Sequence, residues 1–283
     1  IWVIIINNII IILKGFVFGL ANIIPGVSGG TIAVVLGIYE RMIDIFSNLK
    51  IKFKENIKFI IFLFIGMIIS IGLCSNIISY CLNKFPFATV LFFLGLIMGG
   101  IKPIFKKIKG KINFKGIMIF LVAFISILAI MYVIPKSDSK SLEVLNLSHI
   151  IILFIMGLMG AMSITLPGIS SSVILMLIGY YEPVINAVGQ LAKLENTMHN
   201  LLILLIFVGG TIIGVLTISK LVKKILIKYE VYAYIGIIGF IFASSISLFI
   251  TVLTGPHGTY QLIIGIILLI IGFYLSKILS AKE

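Results

Sequence analysis

Charge is what this sequence has least of. Only 11% of its 283 residues are Asp, Glu, Lys or Arg, against about a quarter in an ordinary soluble domain. Arginine occurs once, as Arg41, and tryptophan once. The two cysteines, Cys74 and Cys81, lie seven residues apart in one apolar stretch, roughly on one helix face. They read as small packing residues, and neither redox nor metal chemistry is indicated. His149, His199 and His257 fall at the ends of apolar segments, read as interfacial, and make no metal-ligand spacing. No cofactor is indicated.

What fills the chain is hydrophobic sequence, 61% of it, in long runs. Such runs imply an all-α polytopic membrane protein, because an α-helix satisfies its own backbone hydrogen bonds in lipid. A β-barrel would alternate apolar and polar residues, and these runs do not. The net charge of +13 suggests nucleic acid at first sight. The lysines, however, are confined to short loops between apolar segments, as membrane topology requires, so no nucleic-acid partner is expected. The chain begins at Ile1 rather than Met, and no cleavable signal peptide is read in it.

Two interruptions organise the apolar sequence. Asn22-Ile-Ile-Pro-Gly-Val-Ser-Gly-Gly-Thr31 breaks the first run, and Thr165-Leu-Pro-Gly-Ile-Ser-Ser-Ser172 breaks a later one. An unbroken span over residues 1–24 would bury Lys14 near mid-membrane, at a cost of several kcal/mol. The expectation is therefore an interfacial helix ending near Lys14, then a half-helix to Ile24, the Pro25-Gly26 break, and a second half-helix to about Tyr39. Arms of ten to twelve residues reach about 15–18 Å, short of a ~30 Å hydrocarbon core. Each motif is thus expected at the tip of a re-entrant hairpin. Charged residues, Glu40, Arg41 and Asp44, follow the first arm and lead to a basic loop with Lys50, Lys52, Lys54 and Lys58. A polar loop with Lys193 and Glu195 follows the second arm, and further spans are expected over about residues 57–82, 86–101, 116–134, 201–219, 231–253 and 261–279.

The two halves match at a fixed offset. Pro25 and Pro167 are 142 apart, and the same offset pairs Gly15 with Gly157, Gly26 with Gly168, Ser28 with Ser170, Gly37 with Gly179, Tyr39 with Tyr181 and Glu40 with Glu182. Residues 1–134 and 135–283 are read as two repeats within one membrane domain, each a re-entrant hairpin plus three transmembrane helices. An odd number of crossings inverts the second copy. Placing the basic loop Lys102–Lys115 inside puts Lys50–Lys58, Lys220–Lys228, Lys277 and Lys282 inside too. Lys84, the loop Pro135–Ser148, Asn196 and Gly255-Pro-His-Gly258 then fall outside. Both termini are expected in the cytoplasm. This is the plan of secondary transporters, whose sites form at the midplane from broken helices.

The motif chemistry points to an anion. Pro25 ends a helix, Gly26 permits the turn, and Ser28 caps the next helix. Gly29 and Gly30 leave backbone N–H groups uncovered, and Thr31 adds a hydroxyl. In the second copy Pro167 and Gly168 repeat the break, and Ser170, Ser171 and Ser172 supply donors. N–H groups at a helix start, backed by the helix dipole, bind phosphate. Asn22 is a candidate donor to the same site; its counterpart is Ile164. Glu40 and Glu182, at matching positions, are candidates for proton or cation coupling, against a plainer role as interfacial arm ends. Arg41 reads as a cytoplasmic anchor, and Tyr39 and Tyr181 as belt or packing residues. The competing reading of the whole motif is close helix packing by small residues.

Gly15…Gly19-Leu-Ala-Asn22-Ile-Ile-Pro-Gly-Val-Ser-Gly-Gly-Thr-Ile-Ala33…Gly37-Ile-Tyr39, with Leu166-Pro-Gly-Ile-Ser170…Gly179-Tyr-Tyr-Glu-Pro-Val-Ile-Asn-Ala187, resembles the polyprenyl-phosphate transporter family of bacteria and archaea over essentially the whole chain. The resemblance implies a cytoplasmic-membrane flippase. It would return undecaprenyl phosphate, the lipid carrier of cell-wall synthesis, from the outer to the inner leaflet. Ser171 departs from the pattern, standing where the first repeat has Gly29. Two rivals are weighed. A polyprenyl-diphosphate phosphatase would show Pro-Gly-x-Ser-Arg-Ser and upstream acidic residues. Here Gly29 and Ser171 replace the Arg, and the first acidic residue, Glu40, follows the motif, so acid–base or metal-assisted hydrolysis lacks its groups. A small-anion, ion-coupled transporter would use the same site without a lipid tail. The oligomeric state is not legible.

Overall fold

The computed structural model describes residues 2–24, 26–49, 53–132, 139–140, 142, 145–254 and 258–280. Pro25, Lys50, Lys52, Pro135, Lys136, Asp138, Glu143, Gly255, Pro256, His257 and Lys282 lie outside them. The described residues form helices and connections, with no strand among them. α1 (Trp2–Ile23) runs into the first motif, and α2 (Gly29–Val35) and α3 (Tyr39–Ser47) leave it. Then come α4 (Phe53–Lys84), α5 (Pro86–Gly100), α6 (Lys102–Ile108) and α7 (Phe114–Tyr132). α8 (Leu147–Gly160) and α9 (Met162–Thr165) lead into the second motif. α10 (Ser171–Ile178), α11 (Tyr181–Ala192), α12 (Thr197–Lys228), α13 (Glu230–Leu253) and α14 (Thr259–Ser280) complete the chain. Among the described residues seven stretches are long and apolar enough to cross a membrane; the pair α10–α11, bent by 110°, adds an eighth if taken as one span.

Local sequence sets many of these ends. Pro86 opens α5 at a position where its missing N–H is no loss. Asn146 caps α8, its side chain accepting from the His149 N–H at 2.8 Å. The element starts recur along the chain: residues 29 and 171 open α2 and α10, and 39 and 181 open α3 and α11. Somewhat later, α4 over 53–84 and α12 over 197–228 have the same length, 32 residues.

Packing recurs as well. α1 lies along α4 and α8 along α12, while α5 lies along α14 and α7 along α13. Small residues bring these axes close. A Cβ on Gly66 of α4 would stand 2.0 Å from the Ile12 carbonyl oxygen, and one on Gly210 of α12 would stand 2.2 Å from that of Phe154. The core lies between the short helices and α5 and α13, where Ile32, Leu36, Phe93, Leu96 and Ile241 are sealed off. Ile68, Leu73, Val122 and Ile263 point outward, as they would toward lipid.

Several expectations are corrected. α1 is continuous through Lys14, which is only 2% exposed. The predicted break assumed that Lys14 would face lipid. It lies instead within the fold and has an interaction there, so the penalty for lipid exposure does not apply. The arm entering the first motif is accordingly longer than expected, the 22 residues of α1. The arm expected from His149 into the second motif belongs to the 19-residue stretch Leu147–Thr165, long and apolar enough to cross a membrane. The arms leaving are shorter, seven residues in α2 and eight in α10. The stretches leading from Tyr39 and from Tyr181 toward the expected loops are helices, α3 and α11, and Lys54 and Lys58, expected in a basic loop, lie in the first turns of α4. In α3, Met42, Ile43 and Ile45 are buried while Glu40, Arg41 and Asp44 stay exposed, an amphipathic pattern that charge alone disguised. α12 continues past Ser219 to Lys228, because lysine is a good helix former once outside the apolar core.

Candidate functional site

The two motifs meet. Gly26 and Gly168 turn the chain at φ of +89° and +87°, backbone open to glycine and strained for other residues. Beyond Gly26, Ser28 is the N-cap of α2, its Oγ accepting from the Thr31 N–H at 3.3 Å. The expected cap is therefore present. The same Ser28 Oγ accepts from the Gly168 N–H of the other motif at 3.1 Å, and Thr31 Oγ1 accepts from that N–H at 2.7 Å. In return, the Gly26 N–H donates to Ser172 Oγ at 3.4 Å. Ser170 Oγ lies 2.8 Å from Ser172 Oγ. Ser28, Thr31 and Ser170 are buried.

Close approach makes this contact. A Cβ on Gly30 would sit 2.9 Å from the Ser163 carbonyl oxygen and 3.1 Å from Pro167 Cα, so glycine there lets the tips touch. Gly29 faces Asn22, whose Oδ1 would be 2.8 Å from a Cβ at that position. Asn22 spends an amide proton on its own helix, donating to the Phe18 carbonyl at 2.7 Å. It stands beside the tip rather than in its hydrogen-bond network. Ser171 is the half-buried first residue of α10. The N–H groups of Gly29 and Gly30, and of Ser171 and Ser172, have no acceptor among the described residues. They belong to the N–H groups that the starts of two facing helices leave without an intrahelical partner.

Gly26, Ser28, Gly29, Gly30, Thr31, Pro167, Gly168, Ser170 and Ser172 are thus gathered at one junction, with Asn22 and Ser171 at its edge. Glu40 and Glu182 are not. Both are exposed in the first turns of α3 and α11. Glu40 is held by Lys107 of α6 and by the Tyr234 hydroxyl of α13, and Lys107 also donates to that hydroxyl at 2.9 Å. Burial alone would raise the Glu40 carboxyl; the hydrogen bonds from Lys107 and Tyr234, with the Lys107 charge, outweigh it and hold it below the usual carboxylate value. The cluster lines a cavity of about 590 Å³ that also touches Val34 and Val35 of α2. Lys107 and Tyr234 lie far from Glu40 along the chain, and no local pattern marks their convergence on it.

Other expectations resolve here. Tyr39 is buried, and its hydroxyl donates to the Thr165 carbonyl at 2.6 Å, tying α3 to the arm of the other motif. This is the packing role with a polar tether that went unread. Arg41 stacks its guanidinium 4.2 Å from the Phe59 ring centre. Cys74 and Cys81 are free and half-buried. Among the described residues no group of three or more His, Cys, Asp or Glu is placed to hold a metal ion.

Residues 18–256 match the model of a family described as undecaprenyl phosphate translocase-like. A polyprenyl-phosphate transporter of Staphylococcus aureus (strain NCTC 8325 / PS 47) is 34% identical over 95% of both chains. One of Vibrio cholerae serotype O1 is 33% identical over 77% of this chain and 70% of its own. No solved structure matches the chain. A family match across most of the sequence, including both tips, together with full-length similarity at this identity, leads to one conclusion: the chain belongs to the undecaprenyl phosphate translocase-like family.

Proposed function

We propose that the protein carries polyprenyl phosphate, of the undecaprenyl phosphate class, across the bacterial cytoplasmic membrane from the outer to the inner leaflet, returning the carrier for cell-wall synthesis. The headgroup is held between the two tips. One observation carries this reading: the Gly168 N–H of one tip is bound by the Ser28 and Thr31 hydroxyls of the other. Two polar tips that satisfy each other form a closed state with a ready substitute partner. A phosphate monoester brings charge and three strong acceptor oxygens. It can take over the tip hydroxyls and the unpaired N–H groups at the starts of α2 and α10. Entry of the headgroup then breaks the contact between the halves, and its departure restores it.

The proposal includes the inverted arrangement of residues 1–134 and 135–283, with both termini in the cytoplasm. Support comes from the recurring packing, α1 on α4 with α8 on α12, and α5 on α14 with α13 on α7. In that last pair each half reaches into the other, as a two-fold axis in the membrane plane would arrange. Glu40 and Glu182 remain the candidate coupling groups. Glu40 takes up a proton more readily once it leaves Lys107 and Tyr234, which would link protonation to movement of α3.

Binding of a polyprenyl phosphate to purified protein tests the site, wild type against Ser28→Ala/Ser170→Ala, with inorganic phosphate as competitor. Loss of hydrogen bonds to a charged group should weaken binding by about tenfold or more. Unchanged affinity in the double variant would return the tips to a purely packing role.

A further inference from the structure

A lipid phosphate has a tail as well as a headgroup, and the tail needs an apolar path beside the tips. An apolar groove of about 350 Å³ lies between α1, α3 and α4. Its walls include Phe18 of α1, Phe46 of α3 and Leu63 and Met67 of α4. Two further lining residues fix where it leads. Asn22 and Ile164 both line it, and they are counterparts, 142 residues apart, each just before its own tip. One groove therefore touches the approach to both tips at once. Its polar lining residue, Asn22, packs beside Gly29. Phe64 and Ile71 of α4 also line it, and they are 46% and 40% exposed. The groove is thus lined both by exposed residues of a membrane span and by the residues beside the tips.

We propose that this groove is the lateral port through which the prenyl tail of the substrate leaves the headgroup site and enters the bilayer. The inference rests on the transport reading. The occupant is chosen by continuity: an apolar chain attached to a group held at Ser28 and Ser170 has this apolar path beside it. A volume at the small-ligand end of the usual range admits only the first few isoprene units, and the remainder lies in lipid. The aromatic and methionine walls suit a branched, unsaturated chain, since Met adapts to irregular apolar shapes. A second apolar groove of about 330 Å³, lined by Phe105, Phe120 and Phe242, has no lining residue from either motif or from the arms entering them and is the natural comparison.

The test uses a polyprenyl phosphate carrying a diazirine near its first isoprene units, photolysed in the full-length protein. Crosslinks should fall on α3 or α4. Ile71→Trp at the mouth and Ile164→Phe at the floor should each weaken binding of the long-chain lipid by about tenfold. Ile68→Trp, on the same helix but 64% exposed and outside the groove, should leave it unchanged. Crosslinking in the unsubstituted protein keeps the result independent of whether Ile164→Phe folds. Crosslinks confined to the Phe105–Phe242 groove, with full affinity in both groove variants, would overturn the port. If Ser28→Ala/Ser170→Ala still lost binding in that case, the transport reading would stand. Absence of binding by the wild type would end both.

Discussion

Tyr39 and Tyr181 occupy matching places in the two halves, yet only Tyr39 is sealed inside, with its hydroxyl on the Thr165 carbonyl. A buried carbonyl that loses its donor bears a desolvation penalty of about 1–3 kcal/mol. Tyr39→Phe should therefore lower the thermal midpoint in detergent by several degrees, and Tyr181→Phe, half-exposed, should change it little; equal effects would sink this account. Single residues were legible where their role is local. Ser28 follows a Pro-Gly break and precedes an apolar run, so its place as a cap could be read directly, and it caps α2. Lys14 could not be read, because whether it meets lipid or protein depends on what packs beside α1. Asn22 is a candidate donor by its place beside the motif, and its amide is partly committed to Phe18.

The arms and the helix α3 show where element-scale reading stops. Apolar runs located the spans, and Pro and Gly located the breaks, since both act through the backbone itself. The length of the first arm is not legible from its charge, because Lys14 does not mark a boundary of α1. α3 was missed because three charged residues mask a buried apolar face. That helix is held to α6 and α13 through Glu40, and the hold has a pH dependence of definite sign. The folded carboxyl titrates below its ordinary value, so its contribution is present above the unfolded value and disappears as pH falls through the folded one. The difference in thermal midpoint between wild type and Glu40→Gln should be full at neutral pH and vanish in acid below the ordinary carboxylate range. A difference that persists or grows in acid would show that Glu40 acts other than as a paired carboxylate.

Orientation in the membrane belongs to the whole molecule. With Cys74 and Cys81 replaced by Ser, a single Cys at Lys111 and another at Ser139, both exposed positions, report on opposite faces. Ser139→Cys should react with an impermeant maleimide in intact cells. Lys111→Cys should react only after permeabilisation. The reverse pattern would invert the orientation, and reaction of both would remove the two-sided arrangement altogether.

By itself the sequence determined the helical membrane class, the two breaks, the repeat offset and the hydroxyl-rich tips. Each depends on composition, periodicity or backbone chemistry within a short stretch. Only the tertiary structure decided that the tips touch, that Gly168 is held by Ser28 and Thr31, that Lys14 lies inside, and that Glu40 is clamped by Lys107 and Tyr234. Those are contacts between segments far apart in the chain. In a sequence so uniformly apolar, hydrophobicity does not select one helix pairing over another. Close packing at small residues such as Gly30 and Gly66 does, and it acts only once the partner helix is in place.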